Sequence, residues 1–208
     1  MSNDPHLGGC VIGDSENGDG GTWASQLWDK LIEMINPKTV LDVGCGAGYS
    51  LKYFIKQKGL IGVGVEGYED AIKKSPISSN IIKHDYTKGL LELDWNFDFA
   101  WCCEFVEHVE EQYVDNFMKN FEKCKYVGMT HGLPGQPGFH HVNCQPPQYW
   151  IDMFKKYNFE YLEKDTMLLR RTLLKDQNGL FTSDNWIETG SHVRNTFMLF
   201  KKKEKIND

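Results

Sequence analysis

The run Val40-Leu41-Asp42-Val43-Gly44-Cys45-Gly46-Ala47-Gly48-Tyr49-Ser50 constrains the fold of this chain more than any other segment. Its first half is apolar and β-branched enough for a buried strand, its glycines make a turn, and a helical pattern follows. Strand, turn and helix in that order form a unit of an α/β sheet. Glycines at 44, 46 and 48 let backbone amides approach a ligand with no Cβ in the way, and the next helix N-terminus offers unpaired N–H groups. The spacing is GxGxG, with Tyr49 where a dinucleotide fingerprint takes a third small residue, which counts against a nicotinamide cofactor.

Asp42 sharpens the choice of ligand. A carboxylate beside the turn repels a pyrophosphate and favours a ligand carrying an ammonium or sulfonium group. S-adenosylmethionine carries both. Eighteen positions beyond Gly48, Glu66 closes the apolar run Leu60-Ile61-Gly62-Val63-Gly64-Val65, placed to accept bonds from both hydroxyls of an adenosyl ribose. These residues resemble motifs I and II of the class I S-adenosylmethionine-dependent methyltransferases, and the resemblance spans roughly residues 22–200. It implies a Rossmann-like, doubly wound α/β sheet of seven strands with an antiparallel closing hairpin. It also implies a cofactor site made by Asp42 on the ammonium side, Gly44, Cys45, Gly46 and Gly48 along methionine and ribose, and Glu66 on the ribose diol. Asp85-Tyr86, after the third strand, resembles the adenine-binding position of that family; a solvated turn carboxylate is the other reading of Asp85.

A chain of 208 residues, 40% hydrophobic and 25% charged, suits one domain with a sizeable core. We expect a flexible arm or lid over residues 1–21 and a methyltransferase domain over 22–208. No basic region followed by an apolar run opens the chain and no segment approaches the ~18 apolar residues of a membrane span, so a cytoplasmic location is expected. Cysteines at 10, 45, 102, 103, 124 and 144 make no CxxC pair, so neither a zinc knuckle nor a disulfide framework is suggested. A net charge of −6 argues against nucleic acid as a partner. A homo-oligomer stays open.

Along the chain, Thr22 is placed to cap a helix carrying Trp23, Leu27, Leu31 and Ile35, ended by Asn36-Pro37. A helix from about Tyr49 to Lys58, a short one over Tyr68–Lys74, strands over 80–84, 97–103 and 126–131, and helices around 113–121 and 148–157 follow. The loop from Gly132 to Pro147, punctuated by prolines and glycines, reads as a substrate-side excursion. The remainder, with an irregular insertion around Asp176–Trp186, ends in the closing hairpin at Thr196–Phe200.

Methyl transfer to a hydroxyl needs a positioned nucleophile and a base for its proton, a task histidine suits near neutral pH. His108, His131, His140 and His141 fall at the carboxyl edge of the expected sheet and are the candidate bases. On a helical turn Glu104 and His108 would share a face at i, i+4, with Glu104 orienting the imidazole. The Glu107-His108 pair also resembles a segment after strand four in methyltransferases of the ubiquinone-biosynthesis type; a packed histidine bonding a backbone carbonyl is an equal reading. Glu104, the histidines and Asp85 could instead gather a divalent cation such as magnesium that polarises a vicinal diol, as in some sugar O-methyltransferases, although no linear spacing demands one.

The polar and aromatic loop 132–147, with Tyr149 and Trp150 after it, suits a hydroxylated acceptor. It resembles small sugar and natural-product O-methyltransferases, including glycan methyltransferases of large algal viruses. The expected activity is O-methylation of a sugar, a glycan or a similar polar small molecule. A lipid or quinone acceptor, and a non-catalytic methyltransferase-like binding module, are the alternatives.

Overall fold

The structure, a computed structural model, describes residues 5–7, 20–173 and 191–204. The expected arm is thus described only at Pro5–Leu7 and from Gly20 onward, and the expected insertion around Asp176–Trp186 lies outside the described residues.

Seven strands form one sheet: β1 (Thr39–Val43), β2 (Ile61–Glu66), β3 (Ile81–Lys83), β4 (Phe97–Cys102), β5 (Cys124–Met129), β6 (Phe159–Tyr161) and β7 (Met198–Lys202), in the order β3-β2-β1-β4-β5-β7-β6. The first five are parallel to one another, whereas β7 runs antiparallel to both β5 and β6. The Rossmann-like sheet and its closing antiparallel pair are therefore as expected. The order reverses at β1, which puts a crevice at the carboxyl ends of β1 and β4.

Side-chain alternation along the strands makes two cores. Leu41, Val43, Ala100, Cys102, Val127, Met129 and Phe200 face one side. Val40, Phe99, Trp101 and Leu199 face the other. On the first side pack α4 (Val114–Phe121) and α5 (Pro147–Lys156), with Phe154 stacked on Phe200 at 3.9 Å between ring centroids. Tyr113, Val114, Phe117, Met118 and Phe121 recur at helical spacing, a stripe expected to pack on the sheet; the last four are buried there, and Tyr113, just before the helix, is partly buried against the same core. On the second side lie α1 (Ser25–Ile35), α2 (Tyr49–Lys52), α6 (Glu163–Thr172) and α7 (Ser191–Thr196), around an aromatic group of Trp28, Phe54 and Trp101. A further short helix, α3 (Glu69–Lys74), precedes β3 and stops before Pro76.

Two local expectations are corrected. Thr22 does not cap α1: the helix starts at Ser25 behind Ala24, which makes no side-chain cap bond. Asn36, at φ 44°, ends it by donating its N–H to the Ile32 carbonyl, and Pro37 follows. The helix after the glycine turn is α-helical only to Lys52 and widens to a π-turn over Tyr53–Gln57, which seats Tyr53 and Phe54 in the aromatic group.

Candidate active site

One cavity of about 370 Å³ opens at the carboxyl edge of the sheet, walled by the glycine turn, the ends of β2 and β3, the segment after β4, and His6, Leu7 and His192. Its shape begins with the turn. Gly44, Gly46 and Gly48 have φ of 70°, 55° and 75°, in the left-handed region that L side chains rarely enter. Gly44 is fixed twice, because a Cβ there would also fall 2.3 Å from the Phe105 ring. Gly44 and Cys45 donate their N–H groups to the Val65 carbonyl, tying the turn to β2. Gly46 donates to Glu66 Oε2 at 2.8 Å, and Tyr68 donates its N–H to Oε1 at 2.7 Å, so that carboxylate spans the turn and the start of the next loop. Gly44, Cys45 and Gly46 line the cavity. Gly48 is not among the lining residues; it starts α2 and lies against Ile77 and Ile81.

Three carboxylates belong to the ends of three adjacent strands. Asp42 in β1 is buried and accepts a 2.6 Å bond from Ser50 Oγ. Burial pushes its carboxyl up to about 7, with the Ser50 bond resisting and the Glu66 charge adding to the rise. Burial also raises Glu66, opposed by backbone N–H bonds from Tyr68, Gly46 and Gly67. Asp85, beyond β3, is pushed up by its partial burial, but bonds from Thr87, His6 and Lys88 outweigh that and hold it well below the usual carboxylate range. His6 Nε2 lies 3.1 Å from Asp85 Oδ2, so the short turn Pro5–Leu7 closes this end of the cavity. Tyr86 also lines it, with its hydroxyl donated to Asn120 Oδ1 at 2.7 Å. Acceptors placed in series in this way fit a donor that presents an ammonium group, a ribose diol and an exocyclic amine.

The opposite wall differs from expectation. Glu104 and His108 both line the cavity but do not form an i, i+4 pair, because Glu104 sits at φ 50° and breaks the helical turn. Thr130 locks Glu104 from both sides: its Oγ1 accepts the Glu104 N–H at 2.7 Å and donates to Oε1 at 2.8 Å. Glu104 Oε2 instead lies 3.5 Å from Nδ1 of His192, at the start of α7. No pattern in the sequence marked His192; a lone histidine in the polar stretch Ser191–Thr196 reaches the cavity only because α7 returns over the sheet, with its N–H donated to the Gly21 carbonyl.

His108 sits in a turn of 3₁₀ helix over Val106–His108, its ring 5.0 Å from that of His141. Burial and the neighbouring His141 push His108 down to about 4, so it is a neutral imidazole at neutral pH. His141 lines the cavity because the long loop folds back on this turn: Val142 and Asn143 both donate their N–H groups to the Glu107 carbonyl. Neither His131 nor His140 is among the lining residues. His131 is buried beside Trp150, with Nδ1 at 3.2 Å from the Gly132 carbonyl. His140 packs its ring 6.4 Å from that of His6. Trp150, expected near the acceptor, is fully buried in the core; Phe139, more than half exposed at 56%, and Trp23 are among the aromatics that line the cavity. Cys103 also lines the cavity, but burial drives its thiol well above the usual range, so it stays protonated.

Glu107, behind His108, is fully buried, and burial followed by the Glu104 charge pushes its carboxyl well up. The expected gathering of Asp85 and Glu104 with the histidines does not form, since Asp85 is engaged at the β3 end. The group of possible cation ligands among the described residues is Glu107, His108 and His141.

Residues 22–125 match the family described as "Methyltransferase domain". Comparison with curated proteins gives no match. Among solved structures, a SAM-dependent methyltransferase from Archaeoglobus fulgidus is similar with a TM-score of 0.55 at 19% identity, over 86% of this chain and 92% of that one. The methyltransferase domain of bacterial CtHen1 gives 0.55 at 18%, over 86% and 99%. The plantazolicin methyltransferase BpumL, in complex with a desmethyl analogue and S-adenosylhomocysteine, gives 0.53 at 15%, over 88% and 83%. At these identities the likeness is one of fold.

Proposed function

The chain belongs to the methyltransferase-domain family and is an S-adenosylmethionine-dependent methyltransferase, and we propose that it methylates a hydroxyl of a polar small molecule, a sugar or glycan being the best-fitting class. The observation that carries this reading is the division of one cavity into a carboxylate-lined wall that suits the donor and an imidazole-lined wall that suits an ionisable hydroxyl acceptor.

Asp42 holds the ammonium group, Glu66 the ribose diol and Asp85 the adenine amine, while Gly44, Cys45 and Gly46 let the backbone come close. When bound, the cofactor supplies an electrophilic methyl carbon on its sulfonium. His192 takes the proton from the acceptor hydroxyl at Nε2, the ring nitrogen left over when Nδ1 faces Glu104. Glu104, held by Thr130, positions that ring and stabilises it once protonated, which is the base-and-orienter arrangement of many proton-transfer sites. Phe139 and Trp23 offer flat faces to a saccharide ring, and the polar loop supplies donors and acceptors around it. The net charge of −6 favours a neutral or cationic acceptor over a polyphosphate backbone.

The test is a tritiated-methyl screen over sugars, phenols, lipids and proteins. We expect a polyhydroxylated acceptor to be labelled in a base-stable ether linkage. Replacing His192 by Ala should lower kcat by about 10²- to 10⁴-fold with cofactor affinity kept. Labelling of amines alone, or full turnover by the His192→Ala protein, would refute the reading.

A further inference from the structure

The acceptor wall contains a side-chain arrangement that proton transfer through His192 leaves unexplained. Glu107 is fully buried with its carboxyl facing the Glu104 side chain and the Gly132 N–H, yet neither of its oxygens makes a hydrogen bond of good geometry among the described residues, and the buried Nδ1 of His108 makes none either. Buried polar groups are nearly always satisfied, and an unpaired buried carboxylate is among the costlier exceptions. These two residues and His141 each place one ligand atom so that all three lie within 4.8 Å of one another. For three atoms so placed there is always a point no more than about 2.8 Å from every one of them, so a contraction of well under an ångström gives the ~2.0–2.2 Å bonds of a small divalent cation.

The surroundings favour the same occupant. His141 Nδ1 lies 3.2 Å from the Gln136 carbonyl; with the proton on that nitrogen, Nε2 keeps its lone pair, as outer partners do for metal-bound imidazoles. The loop is shaped around these side chains at two glycines. A Cβ on Gly138 would fall 2.1 Å from the His141 ring, and one on Gly132 would fall 3.0 Å from Glu107 Cβ. His108 and His141 line the cavity while Glu107 stands behind them, so a cation held by all three has its remaining coordination positions on the cavity side.

We propose that Glu107, His108 and His141 form a divalent-cation site on the acceptor wall, and that the open positions chelate two adjacent oxygens of the acceptor, as in a vicinal diol or a hydroxy acid. Two imidazoles and one carboxylate suit a first-row ion such as manganese, cobalt or zinc better than magnesium, which takes oxygen ligands. Chelation orients one of the two oxygens towards the methyl donor and leaves its proton for His192. The cation site stands on its own geometry; the assignment of the acceptor rests on the methyl-transfer reading above.

Cobalt(II) is the probe. The chelator-treated full-length protein is titrated with Co²⁺ while its visible absorption is followed, and S-adenosylhomocysteine binding is measured separately by calorimetry. We expect one equivalent of Co²⁺ to develop bands of nitrogen and oxygen ligation, catechol but not phenol to shift them, and Kd to rise at least tenfold in both Glu107→Gln and His141→Ala. His141 is on a partly exposed loop, so its variant keeps the test valid should the buried Glu107 change impair folding. No bands, a sulfur charge-transfer band from Cys144, or an unchanged Kd in His141→Ala would overturn the site. Bands indifferent to catechol would overturn the chelated acceptor. A protein that binds S-adenosylhomocysteine but not Co²⁺ loses this inference alone, whereas one that binds Co²⁺ but not S-adenosylhomocysteine loses the cofactor assignment alone.

Discussion

Replacing Asp42 by Asn separates the stability of the empty site from its affinity for the donor. Burial lifts the Asp42 carboxyl from 3.8 to about 7. Between about pH 4 and 7 the unfolded chain has released this proton while the folded chain retains it, so the folded state binds more protons and stability falls as pH rises; above about 7 the penalty is complete. A rise of about 3 units corresponds to a ceiling of about 4 kcal/mol, at roughly 1.4 kcal/mol per unit. Relaxation and water entry around the ionised group recover part of this, leaving about 2 kcal/mol. Asn keeps an oxygen to accept the Ser50 hydroxyl and carries no charge, so at pH 8.5 the free variant should melt about 4–8 °C above the parent, and at pH 4 the two should coincide. Affinity should move the other way. Losing a charge-assisted bond to the donor's ammonium costs about 1.5–3 kcal/mol, a loss of roughly 10- to 100-fold in S-adenosylhomocysteine binding. Melting curves across pH and calorimetry at pH 8.5 read both. A melting difference that does not vary with pH, or an affinity equal to that of the parent, would refute the placement of Asp42.

Glu66→Gln can accept only one of the two N–H bonds from Gly46 and Tyr68 at full strength; calorimetry should show about 10-fold or greater loss of S-adenosylhomocysteine affinity, and denaturant unfolding about 1–3 kcal/mol lost. Gly44→Ala meets both a left-handed φ and the Phe105 ring, so it should cost more than the ~1–2 kcal/mol of the backbone effect alone and weaken cofactor binding, measured by the same two methods. Gly138→Ala displaces the His141 ring and should lower turnover while leaving S-adenosylhomocysteine affinity within about twofold, since the donor wall is untouched.

What was legible in the sequence is what local pattern encodes. Strands β1, β2 and β4 are largely apolar runs because a sheet covered on both faces buries most residues of its central strands. The glycines announce a turn because positive φ selects them one residue at a time. Asp42 was singled out because it stands beside the glycine turn, and Glu66 and Asp85 because they end or follow a strand; the carboxyl ends of adjacent parallel strands meet at one edge.

The acceptor wall obeys no such local rule. Glu104 and His108 carry helical spacing, but the left-handed Glu104 is set by Thr130 across the strand edge, and that contact turned its carboxylate towards a histidine 88 positions further on. Trp150, just after the loop, was expected beside the acceptor, but α5 turns it into the core against Phe117. His141 lines the cavity and His140 does not because backbone bonds to the Glu107 carbonyl fixed which of two adjacent rings faces inward. The sequence alone determined the strand–turn–helix unit and the class of sheet it belongs to, and it singled out the three acids near the strand ends, since these depend on neighbours a few residues apart. Only the tertiary structure decided which imidazoles share a cavity, because segments distant in the chain meet there through packing, and packing leaves no periodic mark on the residues it brings together.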